Sequence, residues 1–125
     1  MLADSMKWYL EEEGLDGENE VIGFMNPGGI RAELWDASSP TGEGDGVVSY
    51  AEANGMVPFG NTLNSGEVTG AQFKQMLEEQ WQPAGAGRPF LALGTSKGFT
   101  WTYDPTRPAG DRITSITLDG EPIDP

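Results

Sequence analysis

The sequence predicts an α+β fold, a single domain over residues 1–125 with two main helices packed on a mixed or antiparallel sheet. Three observations carry this. Leu2, Met6, Tyr9 and Leu10 recur at helical spacing at the start of the chain. Thr69 and Gln72 have the spacing of a capping box ahead of a second apolar stripe, Phe73, Met76, Leu77 and Trp81. Phe99, Trp101 and Tyr103 alternate with Thr100 and Thr102, the period-two pattern of a strand with one buried face.

In chain order, the first helix is expected to end near Gly14, followed by a polar turn to Glu20. Val21 to Met25 is a short apolar run, read as a buried strand. It stops at Asn26-Pro27-Gly28-Gly29 and resumes as Ile30 to Trp35. Ser38 to Gly46 holds Pro40 and three glycines, the composition of a surface loop. Ser49 and Glu52 suggest a single helical turn before Asn54-Gly55. Thr62 to Val68 reads as a strand, residues 70–81 as the second helix, and Phe90 to Leu93 as strand-like. Ile113 to Leu118 forms a last strand, and Asp119-Gly120 is a strong hairpin signal. Its return strand would begin at Glu121-Pro122-Ile123, where the chain has almost run out. An unpaired edge at Ile113 to Leu118, and an uncovered apolar face around Phe99 and Trp101, are therefore expected to favour a homodimer.

Composition narrows the chemistry. Twenty acids against seven bases give a net charge of −13, which repels DNA phosphates and anionic membranes. Residues 1–46 hold 11 of the 20 acids and 2 of the 7 bases. That excess is either a solvated face that aids solubility or a partner-binding surface. There is no cysteine and no histidine, so a zinc or iron site is not expected, and no serine has the histidine that activates such a nucleophile. No apolar run approaches the roughly 20 residues of a membrane span. Met1–Leu10 carries Asp4 and no apolar centre, unlike a signal peptide. The helical pattern begins without a lead-in, as in a piece of a longer chain.

Two loops carry candidate chemistry. In Asn26-Pro27-Gly28-Gly29-Ile30-Arg31 the glycines let the backbone approach a ligand and expose N–H groups. Arg31 suits phosphate, which a guanidinium grips with two parallel hydrogen bonds. The plainer reading is a tight turn with Arg31 paired to a neighbouring acid. In Pro58-Phe59-Gly60-Asn61 the Phe59 ring is either a stacking face for a nucleobase or a core residue at a turn. Glu11–Glu13 and Glu78-Glu79 read as solvated helix faces, and Phe99, Trp101 and Tyr103 as core. Gly42 to Gly46 has too few correctly spaced oxygens for an EF-hand loop.

Taken in order, FMNPGGIRAEL, VPFGNTL, VTGAQFKQMLEEQ, FLALGTSKGFTWTYDP and GDRITSITLDGEPIDP resemble the C-terminal domain of the 5′-nucleotidase family, in a bacterial, Gram-positive-like branch. The resemblance covers nearly the whole chain. It implies a two-domain phosphoric ester hydrolase whose own N-terminal metallophosphatase domain binds two divalent metals and hydrolyses the ester. The C-terminal domain would recognise the nucleotide or nucleoside, so no catalytic residue, metal ligand or cofactor is expected here. Carried across, Arg31 matches the phosphate-contacting arginine, Asn26 the base-contacting asparagine, Phe59 one of two stacking aromatics and Gly94 a glycine of the base pocket. Pro27 departs from the glycine common in the family and removes an N–H donor. A further arginine before the first helix, the second aromatic and a GGD segment fall outside residues 1–125. The parent would be secreted, periplasmic or cell-wall attached. The alternative is a non-catalytic binding or adhesion module that reuses the fold.

Overall fold

Helix α1 spans Leu2–Glu12, and the computed structural model describes residues 1–37 and 42–124. The helix stops because Gly14 takes a left-handed φ of 62°. The Leu15 N–H then reaches back to the Leu10 carbonyl at 2.9 Å and the Gly14 N–H to Glu11 at 3.2 Å, the paired bonds of a Schellman end. The inward face is Leu2, Ala3, Met6 and Leu10; Tyr9, expected in the stripe, is largely exposed. Lys7 pairs with Glu11 and also donates to the Val21 carbonyl, tying the helix to the incoming strand.

Helix α1 lies on a two-stranded antiparallel ribbon made by β1 (Phe24–Met25) and β2 (Gly94–Thr95). The expected strand over residues 21–25 is thus reduced to two residues. The ribbon continues as backbone contact: Ser96 donates its N–H to the Gly23 carbonyl at 2.9 Å, and its hydroxyl accepts from the Gly23 N–H at 3.0 Å. Asp4 accepts from the Lys97 N–H at 2.6 Å, so the helix also holds the turn after β2.

Residues 30–35 form no strand, and of the expected loop Ser38 to Gly46, residues 38–41 lie outside the described residues. Helix α2, Tyr50–Met56, is two turns rather than one. The Ser49 hydroxyl caps the Glu52 N–H while the Glu52 carboxylate accepts from the Ser49 N–H, and the helix runs through Asn54-Gly55. The expected strand at Thr62 to Val68 is also absent: residues 61–69 are exposed and without regular structure. Leu63 and Val68 are the only large apolar residues there, too sparse to bury a strand face, and Asn64-Ser65-Gly66 favours turns.

Helix α3, Gly70–Glu78, starts from the Thr69–Gln72 capping box as expected but ends three residues before 81. The reason is Gln80, which is 1% exposed. Its carbonyl accepts from Leu91 N–H at 3.0 Å and its Oε1 from Leu93 N–H at 2.9 Å. Gln80 thereby serves as the pairing partner of residues 91–93, which form no strand; only Phe90 bridges, to Trp81.

The main sheet is antiparallel, with order β3 (Phe99–Tyr103), β4 (Ile113–Leu118), β5 (Glu121–Pro122). The Asp119-Gly120 hairpin forms, with φ of 51° and 90° at its two turn residues. The return strand is present within the chain, and Ile123 N–H adds a bond to the Ile116 carbonyl. Strand β4 is therefore paired on its second side from Ile116 to Leu118, and β5 covers the edge expected to lie open over that half of the strand.

Helix α3 packs on this sheet through Phe73 and Leu77, which meet Phe99, Ile113, Ile116 and Leu118 in one core. Phe24, Phe73 and Phe99 stack edge to face with centroids 5.1–5.9 Å apart. Phe99 is 5% exposed, so the apolar face expected to lie open is closed there. Trp101 is half-buried among Trp81, Phe90 and Tyr103, and Tyr103 is more exposed than its core reading implied. Glu78 is buried rather than solvated, because its Oε1 accepts from the Ile113 N–H at the start of β4.

Candidate functional site

Strand β1 delivers the chain directly into the Asn26–Arg31 loop. The Asn26 Oδ1 accepts from Gly28 N–H at 3.1 Å and caps a single 3-10 turn, Pro27–Gly29. Proline stands at the first position of that turn, where its fixed φ fits and its missing N–H leaves no partner short. The Gly29 N–H goes to the Asn26 carbonyl at 2.9 Å and the Ile30 N–H to Pro27 at 3.1 Å. The loop therefore satisfies its own N–H groups instead of presenting them to a ligand, contrary to the expectation from its glycines. Those glycines serve space instead. A β-carbon on Gly29 would stand 2.9 Å from the Met25 Cε, and one on Gly28 would stand 3.0 Å from an Arg88 guanidinium nitrogen.

Arg31 leaves the loop by donating its N–H to the Met56 carbonyl at 2.8 Å, at the end of α2. That bond draws the following Val57-Pro58-Phe59 segment beside it. The Arg31 guanidinium carbon then lies 5.7 Å from the centroid of the Phe59 ring, a cation–π contact worth about 0.5–1 kcal/mol at an exposed site. Phe59 is 52% exposed, so it is not the core residue of the plainer reading. Among the described residues the ion pairs are Met1 with Asp4, Lys7 with Glu11 and Arg107 with Asp111; Arg31 has no acidic partner.

Gly94 sits on the other side of β1, paired with Met25. It lines an open groove of about 570 Å³ with Met25, Pro27, Ile30, Met56 and Thr95. Asn26, Arg31 and Phe59 do not line that groove. The structure thus joins Arg31 to Phe59, places Asn26 and Gly28 beneath Arg88, and sets Gly94 apart behind the loop. Arg88 was missed from the sequence, although it is one of seven bases and lies between Gly87 and Pro89 in a loop. Among the described residues no group of three or more His, Cys, Asp or Glu is placed to hold a metal ion.

The chain is an α+β domain in which an exposed arginine stands over an exposed phenylalanine, beside a glycine-containing loop at a strand end. The family model described as "5'-nucleotidase, C-terminal domain" matches residues 1–125, and the chain belongs to that family. It is 27% identical over 124 residues to the cell wall protein Lmo0130 of Listeria monocytogenes, covering 98% of this chain and 15% of that protein. It is 27% identical over 95 residues to a snake venom 5'-nucleotidase of Macrovipera lebetinus, covering 76% of this chain and 22% of that one. The crystal structure of a 5'-nucleotidase precursor from Thermus thermophilus superimposes with a TM-score of 0.62 at 27% identity, over 98% of this chain and 22% of that one. The chain spans about a fifth or less of the length of these relatives.

Proposed function

We propose that this chain is the nucleotide-recognising domain of a 5'-nucleotidase-type phosphoric ester hydrolase. In this reading the Arg31 guanidinium binds phosphate, the Phe59 ring stacks on the base and Asn26 contacts the base edge, while Gly94, which the resemblance gives to the base pocket, lines the neighbouring groove behind the loop. The reading rests on one observation, the approach of Arg31 to Phe59 with both exposed and Arg31 free of an acidic partner among the described residues. An arginine in so acidic a chain readily finds a carboxylate, and one held over an aromatic ring is placed for a ligand with an anion and a flat face. Hydrolysis is assigned to a metallophosphatase domain of the whole protein carrying two divalent metals. The names of the relatives, a cell wall protein and a venom enzyme, support an extracellular or wall-attached parent.

The test is calorimetric titration of AMP into the full-length protein. Phe59→Ala removes one stacking face and is expected to weaken binding by about 1–3 kcal/mol, up to roughly a hundredfold. Arg31→Ala should weaken AMP while leaving adenosine nearly unchanged. AMP affinity unaltered by both substitutions would refute the assignment and favour the non-catalytic adhesion module.

A further inference from the structure

We infer that Arg88 is a second phosphate-binding arm of this site. The inference rests on the nucleotide-recognition reading above and adds a residue that reading does not include. Arg88 comes from the loop between α3 and β2, far along the chain from the Asn26–Arg31 turn. One of its guanidinium nitrogens lies 3.0 Å from the point a Gly28 β-carbon would occupy, and the Asn26 side-chain atoms lie 3.4 and 3.5 Å from the same point. The guanidinium therefore fills the space that glycine leaves open above the loop. Gly28 is not among the glycines with positive φ, so its backbone does not demand glycine. The guanidinium overhead is what a side chain there would disturb.

Three further facts turn that packing into a binding role. Arg88 is exposed and forms no ion pair among the described residues, in a chain with 20 acids and 7 bases. The N–H groups of Gly28, Gly29 and Ile30 are all consumed within the turn, so the backbone there offers an anion nothing. A net charge of −13 repels an approaching phosphate, and only local cations reverse that field. Arg88 stands above Gly28, and Arg31 follows three residues further along the same loop. Each presents paired N–H donors matched to phosphate oxygens.

Calorimetric titration of AMP and, separately, adenosine into the full-length protein tests this. Arg88→Ala is expected to weaken AMP by about tenfold to a hundredfold, the scale of a hydrogen bond to a charged group, and to leave adenosine within about twofold. Arg88→Lys keeps the charge and loses the paired donors. It should weaken AMP less than Arg88→Ala and leave adenosine within about twofold, which keeps the test valid if Arg88→Ala lowers stability. If Arg88→Ala binds AMP as wild type does while Phe59→Ala still weakens AMP and adenosine, the role of Arg88 falls and the nucleotide reading stands. Equal loss of AMP and adenosine on Arg88→Ala overturns the phosphate assignment. If neither Phe59→Ala nor Arg88→Ala alters AMP binding, both inferences fall.

Discussion

Gly23 passes so close beneath Ala3 that a β-carbon on it would overlap the Ala3 carbonyl oxygen and stand 3.0 Å from the carbonyl carbon. Helix α1 thus rests backbone to backbone on the strand that leads into the Asn26–Arg31 loop. The obstacle is a helix backbone and not a flexible side-chain end, so the helix as a whole must move to admit a methyl group.

Gly23→Ala is accordingly expected to destabilise the domain by about 1–3 kcal/mol, the usual cost of overpacking. Urea unfolding reads this directly. An unchanged midpoint would show that α1 is not seated on Gly23 in solution.

Gln80 replaces a missing strand partner, and its loss should be felt at residues 91–93. Gln80→Ala leaves the half-buried Leu93 N–H without its acceptor, at a cost of about 1 kcal/mol before any cavity is counted. Gln80→Met fills the same space without the acceptor and isolates the hydrogen-bond contribution. Amide exchange at Leu93 should accelerate in both variants; slow exchange in Gln80→Met would mean that packing alone holds that segment.

The Asp104 carboxylate accepts from the Thr106 hydroxyl at 2.6 Å and the Thr106 N–H at 2.9 Å. These bonds, the hydroxyl first, hold its carboxyl below the ordinary aspartate range. A depressed folded-state pKa contributes stability that is complete above the unfolded value of about 3.9 and is lost as pH falls through the folded one. The melting-temperature gap between wild type and Asp104→Asn should hold steady from pH 7 to about pH 5 and close on further acidification. A gap independent of pH down to strong acid would contradict the carboxylate's role in the turn.

Residues 1–125 alone are expected to release no phosphate from AMP with manganese, cobalt or zinc added. Metal-assisted hydrolysis needs a fixed set of ligands to hold the ion and its water. This sequence has no histidine or cysteine, and the described residues contain no acidic cluster with such geometry. Turnover that tracked the protein through purification would overturn this.

The elements legible in the sequence are those stabilised within a few residues. The Ser49–Glu52 and Thr69–Gln72 boxes close over three residues, and the Asp119-Gly120 turn is set by the two residues that adopt positive φ. The alternation at Phe99–Tyr103 is likewise local, and each of these formed where expected. Thr62 to Val68 failed as a strand because no face of that segment is apolar enough to be buried. The end of α3 failed because a glutamine at a helix terminus carries no sign that it will be buried as a pairing partner. The β4 edge was misjudged over Ile116 to Leu118, because two paired residues and one further bond suffice for a return strand there.

The sequence by itself determined the fold class, the family resemblance and the two loops that bear candidate chemistry. Hydrogen bonds and turn preferences acting between near neighbours in the chain dictate the elements, and the ordered motifs carry the likeness. Only the tertiary structure decided which side chains meet. Arg31 reaches Phe59 with its own N–H bonded to the end of α2, and Arg88 reaches Gly28 from a loop some sixty residues further along the chain. Those approaches depend on how separate segments pack, and the spacing of residues along one chain holds no record of the distances between them in space.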